Sequence, residues 1–352
     1  MKAKHRVAFI GAGLRRRRDG SLGYGMAYGH APGYVATKRC DIVAVADIVP
    51  ENAQHFAERF GVPATYTDYK KMLREVKPDI VSICTWTYLH PQMVLNAVKA
   101  GVKAIHCEKP MAPTWGEAKR MHEACVKAKV QLTFNHQRRF LEPFRRAKEL
   151  AQDGTIGRLV RLEAACDNMI DWGTHWIDMM AFYNNDTPVQ WVLGQIDSRE
   201  YRTVFKLPYE NQAISTWVYA NGVRGLIFTG WGRDIGCENR LVGTEGTIEV
   251  HNEQPHVRVR GKGSRAWKMI KTKEHLHGGE ALTRAVVDVV ESLETGREPE
   301  LSSHRAIQTT EVIFATYESS RRRGRVDLPL DIEDSPFLAM LEAGDVGPNR
   351  KK

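Results

Sequence analysis

With 352 residues the chain exceeds the size of a single hydrophobic core, so two domains are expected. Its composition, 42% hydrophobic and 26% charged, is that of a globular protein, and no window approaches the roughly 18–20 continuous apolar residues of a membrane span. A net charge of +9 admits an anionic partner, but the clusters at Arg15–Arg18 and Arg321–Arg323 carry no interleaved aromatics, which argues against nucleic acid and for solvated surface charge.

The N-terminal MKAKHRVAFIGAG runs straight into a strand, Arg6–Ile10, and a glycine turn. That leaves no room for a signal peptide and points to the cytoplasm. Further strands are expected at Asp41–Ala46, Asp79–Cys84, Lys103–Cys107 and Val130–Phe134. Between them lie amphipathic helical segments at Glu51–Phe60 and Pro91–Ala100, and a third from Thr114, with Glu117 at capping-box spacing, to Lys129. This alternation predicts an α/β Rossmann domain, a doubly wound parallel sheet over residues 1–135.

After Phe134 the pattern changes. A helix at Pro143–Gln152 leads through Gly154-Thr155-Ile156-Gly157 to a strand at Arg158–Cys166. Alternating runs rich in β-branched and aromatic residues follow at Gln190–Ile196, Ala213–Tyr219, Arg224–Phe228, Arg240–Val242, Thr247–His251 and His256–Arg260. They predict a mostly antiparallel sheet. Two long helices, Gly279–Leu293 and His304–Arg322, complete an α+β domain over residues 136–330. The charged tail, 331–352, reads as a C-terminal arm.

The six cysteines show no CxxC pairing, and several sit in apolar strand-like runs, as expected of reduced thiols. The pair His275 and His277 lacks a cysteine or carboxylate set at ligand spacing, so it reads as loop and no metal is expected.

The glycine turn offers the first chemistry. Gly11 and Gly13 let backbone N–H groups approach a pyrophosphate, with the next helix N-terminus behind them. The third glycine of GxGxxG would fall on Arg16, which implies an insertion of about a dozen residues, a helix beginning near Gly25, and Ala27 in the third glycine's place. The second strand ends in Asp47, where a carboxylate accepts from ribose hydroxyls and repels a 2′-phosphate; NAD is expected rather than NADP. Arg15–Arg18 could reach a phosphate, another subunit or solvent.

Cys107-Glu108-Lys109-Pro110 ends a parallel strand, where ligands of open α/β sheets bind. Taken alone, Lys109 could anchor a carboxyl group, donate to a carbonyl or pair with Glu108. Asp171 and His175 are four residues apart and share a face if helical, with Asp178 three further on. An imidazole to move a proton beside a carboxylate to hold a hydroxyl suits alcohol chemistry; alone, the spacing equally suits a capped helix start.

Together the N-terminal GAG, Asp47, SICTWTYLHPQMVLNAVKAGVKAIHCEKPMA, FNHQRRFLEPFRRAKELAQDGTIGRL and DWGTHWID, in this order, resemble the Gfo/Idh/MocA oxidoreductases (glucose–fructose oxidoreductase, inositol dehydrogenase). The resemblance implies a Rossmann domain followed by an α/β domain with a large open sheet. It also implies an NAD-dependent oxidoreductase acting on a secondary hydroxyl of a sugar, polyol or derivative, assembled as a homo-oligomer. Carried onto this sequence, Lys109 contacts the nicotinamide ribose and the substrate hydroxyl, Asp171 holds a neighbouring hydroxyl, and His175 is the general acid/base. Thr85, His90 and Glu108 join the cofactor side; Asn135 and Arg139 are weaker substrate-side candidates, and Trp172, Trp176 and Trp231 could stack on a sugar. Trp86-Thr87-Tyr88 and the segment Cys166–Ile170 depart from the family pattern. Two alternatives stay open: an NAD-retaining, redox-neutral enzyme that cleaves glycosides or exchanges hydride between sugars, and a non-catalytic sensor.

Overall fold

A computed structural model describes residues 4–13, 25–254, 256–276 and 279–348. In chain order the first elements are β1 (His5–Ile10), α1 (Ala27–Thr37), β2 (Cys40–Ala46), α2 (Pro50–Phe60), β3 (Thr65–Tyr66), α3 (Tyr69–Val76) and β4 (Ile80–Ile83). Next come α4 (His90–Lys99), β5 (Ala104–Cys107), α5 (Trp115–Ala128), β6 (Gln131–Phe134), α6 (Glu142–Gln152), β7 (Leu159–Cys166) and α7 (Thr174–Tyr183). The strands β8 (Val189–Asp197), β9 (Arg202–Val204), β10 (Leu207–Tyr209), β11 (Gln212–Tyr219), β12 (Arg224–Gly230) and β13 (Asn239–Gly243) follow. The chain finishes with β14 (Thr247–Val250), β15 (Val257–Arg260), β16 (Lys268–Ile270), α8 (Glu280–Thr295), α9 (Ser303–Arg322), β17 (Val326–Asp327) and α10 (Pro336–Ala343).

The chain divides into two units. The first comprises residues up to Pro113 with Glu117–Gln137 and Gly279–Ala306; the second comprises Thr114–Gly116, Arg138–Gly278 and the residues from Ile307. In the first, six strands pair in parallel in the order β3-β2-β1-β4-β5-β6. β4 and β5 are buried along their whole length, so their sequences are apolar runs rather than alternating ones. This is the expected Rossmann sheet, with the short β3 and α3 as additions. Parallel strands place their carboxyl ends on one edge, where Gly11, Asp47, Thr85, Glu108 and Asn135 follow β1, β2, β4, β5 and β6.

The first unit also takes α8, which the boundary at residue 135 assigned to the second domain. The cause is packing: a Cβ on Gly33 would lie 2.5 Å from the Val286 Cβ, so α1 and α8 cross at a contact only glycine admits. Val286 and Val290 join Val7, Phe9, Ala31 and Tyr34 in one buried cluster, and Glu294 takes Arg39 at 2.8 Å and His5 at 3.2 Å.

The second unit is built on a nine-stranded sheet, β16-β15-β14-β13-β7-β12-β11-β8-β17, antiparallel except where β12 runs parallel to β7. Leu162, Ala164, Ile227, Leu241 and Ile248 are fully buried. The opposite face carries a row of cross-strand partners, Leu193, Thr216, Leu226, Glu163, Arg240, Glu249 and Arg258. Arg240 bridges Glu163 and Glu249 at 2.8 Å each, whereas Leu193 and Ile214 are each 45% exposed. The tail read as an arm forms α10: Ser335 caps it through Leu338 N, Pro336 starts it, Gly344 ends it, and Phe337 stacks on Tyr317 at 5.4 Å. Two large apolar side chains, Phe337 and Met340, outweigh the charged composition around them.

Candidate active site

β1 ends in a turn that only glycine can enter. Gly11 has φ +84°, and a Cβ there would lie 2.7 Å from both the Cys84 carbonyl oxygen and the Thr85 methyl. Asp47 faces this turn: its Oδ2 accepts from Ala12 N at 2.8 Å and Gly13 N at 3.0 Å, and its Oδ1 accepts from Val49 N at 2.9 Å. α1 begins at Ala27, fully buried, two residues after Gly25 at φ +64°. A side-chain-free turn, a carboxylate at the end of β2 and a helix start behind them fit a dinucleotide. Arg15–Arg18 and the rest of the insertion lie outside the described residues.

His90 ties two strand ends together. Its Nδ1 lies 2.9 Å from the Pro110 carbonyl oxygen and its Nε2 3.2 Å from the Thr85 carbonyl oxygen. Burial pushes its pKa down, so the ring is neutral and its single N–H donates to one of these carbonyls. Thr85 meanwhile donates its hydroxyl to the Met93 sulfur at 3.3 Å.

Glu108 is buried beside the partly exposed Lys109. Its Oε1 accepts from Asn135 Nδ2 at 2.7 Å and lies 2.8 Å from His30 Nε2; its Oε2 takes Lys109 N at 3.3 Å. Burial alone would raise its pKa, but His30, Lys109 and Asn135 outweigh burial and hold it below the ordinary value. Asn135, expected on the substrate side, is 1% exposed, with its amide committed to Glu108. His30 was not anticipated: a lone histidine in a helical segment has no sequence signature separating it from a core residue.

In the second unit, Asp171 sits in a π turn, Met169–Gly173, that runs directly into α7. Gly173 N donates to the Asn168 carbonyl oxygen at 2.7 Å, five residues back, and the Asn168 side chain caps Asp171 N at 2.7 Å. Glu210 supports the turn from below, accepting from Met169 N at 2.7 Å, Thr229 Oγ1 at 2.9 Å and Tyr317 Oη at 2.8 Å. His175 lies in the first turn of α7, 6% exposed.

The two adjacent arginines before α6 diverge. Arg139, expected near the substrate, is fully buried and clamps Asp178 at 2.8 and 2.9 Å and Asp186 at 2.7 and 3.1 Å. Burial opposes its charge, yet the two carboxylates outweigh it and hold the pKa well above the ordinary value. That makes Arg139 a structural ion-pair partner, which corrects its assignment to the substrate. Arg138 instead lies over Trp172 and Trp176, 5.1 and 4.5 Å from the ring centres. Burial brings its pKa down to about 10, against the pull of Glu238 and Asp171, so it stays charged at neutral pH beside Asp171. Trp176 is core at 1% exposure, whereas Trp172 is half-buried at a cavity of about 700 Å³ lined also by Asp167, Arg233, Glu238 and His251. Trp231 stands exposed on the surface beneath Arg199 and Arg202.

All six cysteines are free. Among the described residues there is no cluster of histidine, cysteine and carboxylates able to hold a metal, and no helix long and apolar enough to cross a membrane.

Comparison with known proteins places these features. Residues 5–136 match the profile of the Gfo/Idh/MocA oxidoreductase family, NAD-binding Rossmann fold, and residues 163–328 match its C-terminal alpha/beta domain. D-glucoside 3-dehydrogenase of Escherichia coli K12 is 32% identical over 154 residues, 44% of this chain and 41% of that enzyme. D-apiose dehydrogenase of Paraburkholderia graminis is 25% identical over 343 residues, covering 87% and 88% of the two chains. The solved structure of levoglucosan dehydrogenase in complex with NADH and L-sorbose shares the fold, with a TM-score of 0.78 at 20% identity over 93% of this chain and 99% of that one. The first unit is therefore an NAD-binding Rossmann domain, and the chain belongs to the Gfo/Idh/MocA family of oxidoreductases.

Proposed function

We propose that this protein oxidises or reduces a secondary hydroxyl of a sugar, polyol or sugar derivative, with Lys109, Asp171 and His175 at the reacting carbon. The observation that carries this reading is the position of Lys109. It follows β5 on the same sheet edge as the glycine turn and Asp47, with its backbone held by Glu108. NAD, when bound, accepts the hydride from the carbinol carbon. His175 takes the hydroxyl proton as the C–H bond breaks, and returns it in the reverse direction. The Lys109 ammonium donates to the same oxygen, stabilises its developing negative charge and can share the proton. Asp171 accepts from a neighbouring hydroxyl and sets the ring orientation, its own charge balanced by Arg138. Asp47 accepts from the adenosine ribose hydroxyls.

Relatives named for action on glucosides and apiose support a sugar-like substrate. The test is NADH formation across a panel of polyols, sugars and glycosides. A responding alcohol is expected, with losses of about 10²–10⁴-fold in Lys109→Ala and His175→Ala. Intact turnover in both variants overturns the assignment.

A second reading has support from the half-buried Trp172 at a cavity of about 700 Å³, a size that suits a ligand larger than one sugar ring. Here NAD is retained and the oxidation is reversed within the cycle, assisting glycoside cleavage or hydride exchange. Stoichiometric NAD released from the denatured protein and seen by mass spectrometry would favour it. The sheet face bearing Leu193 and Ile214 suits a second copy of the chain.

A further inference from the structure

His30 has contacts that the proposed chemistry does not use. It sits in the first turn of α1, fully buried, with Nε2 2.8 Å from Glu108 Oε1 and Nδ1 2.9 Å from Ser82 Oγ. Nε2 thus faces a carboxylate that only accepts, while the Ser82 hydroxyl beside Nδ1 accepts from a protonated ring, so the site can hold an imidazolium that donates twice. Glu108 is 6% exposed, and a carboxylate withdrawn from water keeps its charge only against a nearby opposite charge. Asn135 supplies a dipole there and Lys109 a charge from a partly exposed position, whereas His30 is the buried ring in direct contact with the carboxylate. We infer that His30 is a positioning residue: as a buried imidazolium it keeps Glu108 ionised and oriented, and so fixes the backbone of Lys109 at the end of β5.

The surroundings agree. Cys84 after β4, His106 and Cys107 on β5, Lys109 beyond it and Asn135 after β6 all face this pair, and Tyr34 from α1 lies next to Ser82 and Cys84. Burial keeps the Tyr34 phenol and the Cys107 thiol protonated and the His106 ring neutral. His106 lies 4.6 Å from His30, ring centre to ring centre and tilted by 41°, so one charged and one neutral ring meet without charge repulsion. For His30 itself burial acts downward, but Cys84 and Glu108 outweigh it and carry the pKa up to about 10.

This role rests on Lys109 acting at the reacting site, but its charge state can be read without turnover. The experiment is ¹⁵N NMR of the full chain with labelled histidine and no cofactor, with His30 assigned by Ser82→Ala and His30→Gln. At about pH 8 both His30 ring nitrogens should carry protons, and Glu108→Gln should return the ring to neutral. A neutral His30 in the unaltered protein overturns the inference. In kinetics, His30→Gln should lower kcat about 10-fold or more and add an acid limb to the pH profile, yet cost little in a Glu108→Gln background. Equal costs in the two backgrounds also overturn it. Should Lys109→Ala prove fully active while the NMR result stands, the reaction assignment fails and the charged pair survives.

Discussion

At the scale of single residues, Arg138 and Arg139 show what a sequence withholds. Successive residues of a 3₁₀ turn such as Gln137–Phe140 point about 120° apart. One arginine therefore lies over the tryptophans and its neighbour enters the core, and no periodicity distinguishes them. Removing Arg139 leaves Asp178 and Asp186 without their guanidinium, so Arg139→Ala should cost about 3–5 kcal/mol and lower the thermal midpoint sharply. An unchanged midpoint would return Arg139 to the list of substrate contacts. Asp47 was legible because its position after the second strand has a chemical meaning, whereas its hold on the Ala12 and Gly13 amides was not. Asp47→Ala removes the acceptor that holds the turn and, under the proposed role, the ribose acceptor as well, and should weaken NADH binding by about 10-fold or more in a fluorescence titration. Unaltered affinity would remove Asp47 from the cofactor site.

At the scale of elements, the long periodic segments were readable: every main strand of both sheets lies within a residue or two of its expected place. The failures have physical causes. β3 has two residues, too few for a periodic signal. The π turn at Asp171 is set by the Asn168 cap and by Glu210, which arrives from a distant part of the chain. The partner of α8 was invisible because its apolar stripe fits either unit; only the glycine at position 33 records the choice. Gly33→Val would drive a side chain into Val286 and should destabilise by about 1–3 kcal/mol, measured by urea unfolding. No loss would mean that α1 and α8 do not need this contact.

At the scale of the molecule, buried charge gives stability a pH dependence. His30, raised from 6.5 to about 10, binds a proton more tightly folded than unfolded. Its contribution is complete below pH 6.5 and is lost as pH rises toward 10. Glu108, held below its ordinary 4.5, acts in the opposite sense, contributing above that value and losing its contribution as pH falls. The urea midpoint should therefore decline between neutrality and about pH 9, and decline less in His30→Gln. Parallel profiles would contradict the charged pair. For the exposed sheet face, Leu193→Asp with Ile214→Asp should yield a smaller species by light scattering if two copies meet there. The most direct measurement on the central assignment follows the hydride itself. The protein, supplied with NAD and with ring-deuterated methyl glucoside, myo-inositol or levoglucosan, should produce NADH carrying one deuterium at the nicotinamide C4, and His175→Ala should not. Unlabelled NADH alongside an oxidised product, or equal labelling in the variant, would contradict it.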